Sequence, residues 1–250
     1  MIVAVYAVKG GAGRTTIAVN LAALLGQKHR GECALFDLSL PYNHAALVAN
    51  LVPTGCLALS DRADEDKFEA TLLGAGLHHP SGMVVIPSAL KIEQSELVTP
   101  QLVQRALDVL EQTFSYTIVD LGVAMSEVTL GVLERADRIL VMVSSELPSL
   151  KDTAELLRIF EHVLDIPSGR VSLVLNHPRP QTMVTRADAE RVVKRAMHTE
   201  ILYDGGRFDR AAVTGEVFVA THPSSASAKS IARLASSIIE EHKGRAARHA

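Results

Sequence analysis

The octet Lys9-Gly10-Gly11-Ala12-Gly13-Arg14-Thr15-Thr16 follows directly on an apolar run over residues 2–8. Glycines let backbone N–H groups converge on an anion, and a helix that starts where the turn ends adds its positive pole. The chemistry this spacing suits is the capture of a polyphosphate. The usual pattern is G-x-x-x-x-G-K-[ST]. Here Val8 stands at the first glycine position, Arg14 at the lysine position, and a further lysine, Lys9, opens the loop. Arginine is always charged and forks onto phosphate oxygens, but it is bulkier and planar. The Thr15 hydroxyl, beside Arg14, is placed to ligate magnesium directly. The plain alternative is a tight strand-to-helix turn that binds nothing.

Two acids close apolar runs elsewhere. Asp37 lies in Leu35-Phe36-Asp37-Leu38-Ser39 and Asp120 in Thr117-Ile118-Val119-Asp120-Leu121-Gly122. A carboxylate at the end of a buried strand is costly unless a cation or donors meet it. A magnesium ion bridging nucleotide phosphates meets that need, usually through waters. Thr15, Asp37 and Asp120 are therefore the expected metal residues. Asn176 ends another apolar run and offers a paired donor and acceptor to an adenine edge. Plain alternatives stand beside each: Asp37 as a helix cap or surface acid, Asp120 as structural, Asn176 as a cap before Pro178.

The elements that must position these residues follow from hydrophobic pattern. Strands are expected over residues 2–8, 33–37, 83–87, 116–121, 138–144, 170–176 and 198–202. Most are continuous apolar runs, the mark of a parallel sheet buried on both faces. Amphipathic helices fall between them, at 15–29 (Ile17, Leu21, Leu24, Leu25), at 149–164 (Leu150, Ala154, Leu157, Phe160), and after Pro100. The alternation predicts an α/β fold, a doubly wound, mostly parallel sheet with helices on both faces, its ligand beyond the C-terminal strand ends. Both acids and the glycine loop fall at that edge.

The chain has 250 residues, about half of them apolar, which suits one domain over 1–242 followed by a flexible basic tail, 243–250. A net charge of −3 implies no bulk attraction to nucleic acid. Two cysteines, no charged leader before the first strand, and no apolar run of the ~18 residues a bilayer needs point to a reduced cytoplasmic protein.

The octet resembles the deviant Walker A loop of the MinD/ParA family, usually K-G-G-V-G-K-T-T. The run Leu133-Glu134-Arg135-Ala136-Asp137-Arg138-Ile139-Leu140-Val141-Met142-Val143 is similar to that family's fifth-strand region. Leu147-Pro148-Ser149-Leu150-Lys151-Asp152 resembles the L-P-S-L-R-D segment of the CpaE/TadZ branch, as do Glu96-Leu97-Val98-Thr99-Pro100, Tyr203-Asp204 and residues 224–232. The resemblance implies ATP with Mg2+, held between two face-to-face copies. Phosphates would lie along Gly10, Gly11, Ala12, Gly13, Arg14, Thr15 and Thr16. Lys9 would reach the partner's phosphates, and Lys9, Arg14 and Asp37 are the candidate catalytic residues. It also implies a role in placing type IV (Tad/Flp) pilus or secretion machinery, recruited by a partner to a cell pole or the inner face of the membrane.

Two departures bear on activity. Arg14 replaces the loop lysine, and Ser39 stands where the family has a second, water-positioning acid; Asn43 and His44 replace a nearby glycine and acid. A nucleotide-dependent dimer switch or scaffold with slow or absent hydrolysis is therefore expected. The alternatives are a cycling ATPase that positions DNA or other cargo and a nucleotide-free constitutive dimer. The stripe Ile231, Leu234, Ala235 and Ile238 reads as core packing, and the tail lacks bulky apolar residues, so no autonomous membrane anchor is expected. Arg186, Arg191, Lys194 and Arg195, expected on one helix, are a candidate nucleic-acid patch, interrupted by Asp188 and Glu190, and a solvated helix face is the plain alternative.

Overall fold

In the computed structural model, which describes residues 1–61, 65–180 and 183–249, eight strands form a sheet of order β3-β4-β2-β5-β1-β6-β7-β8. They are β1 (Ile2–Tyr6), β2 (Cys33–Leu38), β3 (Leu77–His78), β4 (Met83–Pro87), β5 (Tyr116–Leu121), β6 (Arg138–Ser144), β7 (Val171–Asn176) and β8 (Thr199–Ile201). Every pairing is parallel except that of β3 with β4. The seven expected strands are present. The two-residue β3 was not expected, being too short to show a pattern. This is the expected α/β architecture, a doubly wound, mostly parallel sheet with helices on both faces.

The helices are α1 (Arg14–Lys28), α2 (Ala45–Val48), α3 (Leu57–Ser60), α4 (Phe68–Gly74), α5 (Ile92–Ser95) and α6 (Pro100–Thr113) in the first half. The second half adds α7 (Glu127–Arg135), α8 (Leu147–His162), α9 (Arg186–Val193), α10 (Arg207–Thr214), α11 (Phe218–Thr221) and α12 (Ala226–His249). Alternation along each strand feeds two cores. Ile2, Ala4 and Tyr6 of β1 pack with α6, α7 and α8, whereas Val3, Val5 and Ala7 pack with α1, α11 and α12. The strand ends thereby become a fixed rim on which site residues stand.

Helix α1 departs from its expected single stripe. Ala18, Val19, Leu21, Ala22 and Ala23 are all buried, while Leu24 is only half-buried, because α12 covers the side away from the sheet. Gly26 allows the close approach: a Cβ there would stand 2.5 Å from the Met83 backbone nitrogen. Pro100 opens α6 as expected, behind Thr99, whose hydroxyl accepts the Leu102 N–H at 3.2 Å.

Two expectations are corrected. The stretch 243–249 is no loose tail but the end of α12, and Arg245 forms an ion pair with Asp137. The stripe Ile231, Leu234, Ala235, Ile238 seats α12 on the core, as expected. The four basic residues do not share one helix either. Helix α9 stops at Val193, Lys194 turns left-handed (φ 56°), and Arg195 donates back to the Ser168 and Val171 carbonyls. Arg186 and Arg191 pair with Glu190 and Asp188 within the helix. Among the described residues, no helix is long and apolar enough to cross a membrane.

Candidate functional site

The rim gathers the expected residues. The loop 9–16 joins β1 to α1; Asp37, Asp120 and Asn176 lie in β2, β5 and β7. Gly13 caps α1 in the left-handed region (φ 89°), and a Cβ there would lie 2.5 Å from Asn176 Nδ2. Backbone conformation and close contact both demand glycine. Asn176 donates from Nδ2 to the Ala12 carbonyl at 3.0 Å, so it ties β7 to the loop. That tertiary role was not foreseen for it. Asn176 also lines a cavity of about 150 Å³ with Gly11, Gly13, Thr16, Pro178 and Phe208. Phe208 stacks on Phe218 at 3.8 Å between centroids, giving that wall a fixed aromatic face.

Asp37 and Asp120 are register partners on β2 and β5, and both are buried. The Thr15 hydroxyl donates to Asp120 Oδ2 at 2.6 Å, while Asp120 Oδ1 has no hydrogen-bond partner. Burial, then the nearby Asp37 charge, push the Asp120 carboxyl up to about 7, against the pull of Thr15 and Arg14. Burial likewise raises Asp37, opposed by its donors. Asp37 accepts from the Ser39 N–H (3.0 Å) and hydroxyl, and from the Ala45 N–H at 2.7 Å. It thus also caps the start of α2, the plain alternative read from the sequence. Arg14 Nη1 is buried and unpartnered.

A cation and an anion both fit these unspent groups. Two buried carboxylates in register, one with a free oxygen, suit a divalent cation. A buried guanidinium nitrogen without an acceptor, beside loop N–H groups, suits phosphate.

Lys9 donates to Glu146, which also lies 3.7 Å from Arg179. The Lys9 hydrogen bond holds the Glu146 carboxyl below its usual range. Glu146 caps α8 and was not singled out from sequence, since its partner lies 137 positions away. The segment after β2 closes on itself. Leu40–Pro41 is cis, Tyr42 and His44 stack at 6.1 Å, and Ser88 donates to Asn43 Oδ1 at 2.7 Å. His177, next to Asn176, is buried and meets Glu200 of β8 at 2.8 Å, a pairing no local pattern announces.

No family model matches the chain. An uncharacterized ATP-binding protein of Methanocaldococcus jannaschii is 23% identical over 237 residues, covering 95% of this chain and 87% of that protein. The crystal structure of a ParA family ATPase from Chlorobium tepidum superposes with a TM-score of 0.81 at 24% identity, covering 94% of this chain and 96% of that one. The septum site-determining protein MinD of Pyrococcus horikoshii, complexed with Mg-ADP, superposes with a TM-score of 0.78 at 18% identity, covering 95% of each chain. The two solved structures share this chain's fold, the P-loop NTPase fold of MinD and ParA proteins.

Proposed function

We propose that this chain binds ATP with magnesium at loop 9–16 and acts as a nucleotide-dependent dimerisation switch or localisation scaffold, with slow or absent hydrolysis. The observation that carries the reading is the pair of unspent buried groups flanking Thr15: Arg14 Nη1, which lacks an acceptor, and Asp120 Oδ1, which lacks a donor. One requires an anion and the other a cation, and a magnesium–nucleotide complex brings both. ATP-binding, ParA and Mg-ADP-bound MinD relatives make that complex the first choice.

Bound magnesium supplies positive charge against the terminal phosphates. Thr15 and Asp120 are the residues to hold it, with Asp37 through water. The N–H groups of Gly10 to Thr16 and the Arg14 guanidinium wrap the phosphates, and the cavity bounded by Asn176, Pro178 and Phe208 takes the base. Lys9 is the group to cross to a second copy's phosphates, and to do so it leaves Glu146. Chemistry stalls at the water. Ser39 spends its hydroxyl on Asp37 and has no carboxylate to orient a nucleophile, a loss worth ~10²–10⁴ in rate. The setting in CpaE/TadZ-like pilus or secretion assembly rests on the segments 147–152 and 96–100.

The test adds Mg-ATP and follows melting temperature, sedimentation and phosphate release together. The expected result is a raised melting temperature and a monomer-to-dimer shift with ATP, at near-zero turnover. No shift with ATP, in a chain already dimeric, favours the nucleotide-free scaffold and sinks the switch. Brisk turnover with ATP-dependent, salt-sensitive DNA binding favours a cycling ParA-type ATPase.

A further inference from the structure

A groove of about 630 Å³ lies along β8, meeting the cavity beside the glycine loop only at Leu202. Arg186 reaches it from α9 on one face of the sheet, and Lys229 and Arg233 from α12 on the other, so the groove straddles the sheet's edge. Strand β8 ends the strand order and pairs only with β7. Ile201 turns its carbonyl inward to the His177 N–H at 2.9 Å. Alternation from Ile201 turns the N–H and C=O of Glu200 to the outer side, where no strand among the described residues pairs with β8.

Charge along the groove is one-sided. Among the described residues, Glu200 is its only lining carboxylate, and that side chain meets His177. Among the described residues, Arg186 is shared between Glu190 and the Met197 carbonyl, Arg233 donates to the Ser230 hydroxyl, and Lys229 stands exposed. The first turn of α12, which lines the groove, carries no acid. Leu202, half exposed at the end of β8, adds an apolar foothold.

We propose that this edge docks an extended acidic segment of a partner protein. Its backbone pairs with Glu200 as a short added strand, its carboxylates meet Lys229, Arg233 and Arg186, and an apolar side chain rests on Leu202. Strand addition uses backbone donors and acceptors together, which a nucleic-acid phosphate chain cannot offer. That contrast favours a peptide over a duplex as the occupant.

The test is fluorescence anisotropy on the full chain without nucleotide, so its outcome is independent of ATP binding. The probe is a labelled peptide of alternating Glu and Val; controls are its Lys-Val counterpart, an N-methylated Glu-Val peptide and a labelled DNA duplex. The Glu-Val peptide is expected to bind, and the Lys-Val peptide is not. N-methylation, which keeps the charge but removes the strand donors, is expected to weaken binding about tenfold. The K229E/R233E double substitution is expected to cost about tenfold or more at unchanged melting temperature; the milder K229Q checks the same direction if the double variant melts early. Equal binding of the N-methylated peptide, tighter binding of the duplex, or indifference to both substitutions would overturn the proposal.

Discussion

The segments after β1 and β2 end at the same rim, yet they treat their polar groups in opposite ways. The first leaves Arg14 Nη1 and, across Thr15, Asp120 Oδ1 buried without partners. The second spends most of its own: Ser39 and Ala45 donate to Asp37, and Ser88 donates to Asn43 Oδ1, which leaves Asn43 Nδ2 as its one buried unpartnered atom. An unpaired buried polar group costs ~1–3 kcal/mol, so the first segment holds a cost that a ligand removes. The second leaves one neutral amide nitrogen unpaired, Asn43 Nδ2, against a guanidinium nitrogen and a carboxylate oxygen in the first, so it gains less by rearranging around a ligand. Under the proposed function, binding and turnover are thus separable, one carried by an expectant loop and the other missing from a more contented one.

Breaking the expectant side has the largest effect. Arg14→Ala should weaken Mg-ATP binding about 100-fold while leaving the ligand-free fold as stable or slightly more so, because an orphaned buried charge is gone. Calorimetric titration beside thermal melting reads both. Awakening the contented side comes next. Ser39→Asp should raise phosphate release about tenfold or more, though a third carboxyl near Asp37 and Asp120 lowers the melting temperature. An unchanged rate would move the fault from Ser39 to Arg14.

The acid pair sharpens the contrast through pH. Asp120 sits at about 7 in the folded chain, above its unfolded value near 4, so the folded state holds a proton the unfolded state has lost. Stability from that proton is complete below about pH 4 and fades as pH rises to about 7, by on the order of a few kcal/mol. Asp120→Asn should flatten this fall in a melting-temperature series. The smallest effect concerns Lys9. Glu146→Gln should free the lysine and tighten ATP-dependent dimerisation a few-fold, read by sedimentation, with no change in ATP affinity of the single chain.

Much of this was legible in residue order because it depends on neighbours in the chain. The glycine octet, the strand-end acids and the apolar strands each announce themselves within a few residues. Asn176 was seen, but its bond to Ala12 was not, because that bond exists only once β7 and the loop share a rim. Glu146 and Glu200 escaped notice for the same reason: their partners come from distant segments. The end of α12 was misread because basic composition suggested fraying, while Asp137, far away in sequence, pairs with Arg245 in its last turns. Helix α9 was drawn too long because Arg195 looked helical by charge pattern, whereas carbonyls at the start of β7 claim it.

The Lys9–Glu146 ion pair has a consequence for how sharply such a switch answers to its own abundance. A lysine engaged within its own chain is available to a second chain only in the fraction of molecules where the pair is open. A symmetric dimer that uses both lysines pays that fraction twice, so its apparent dissociation constant is the intrinsic one divided by the fraction squared. Modest opening of the pair then moves the assembly threshold disproportionately. Under the proposed switch, the contact between two side chains sets the concentration at which solitary chains give way to dimers.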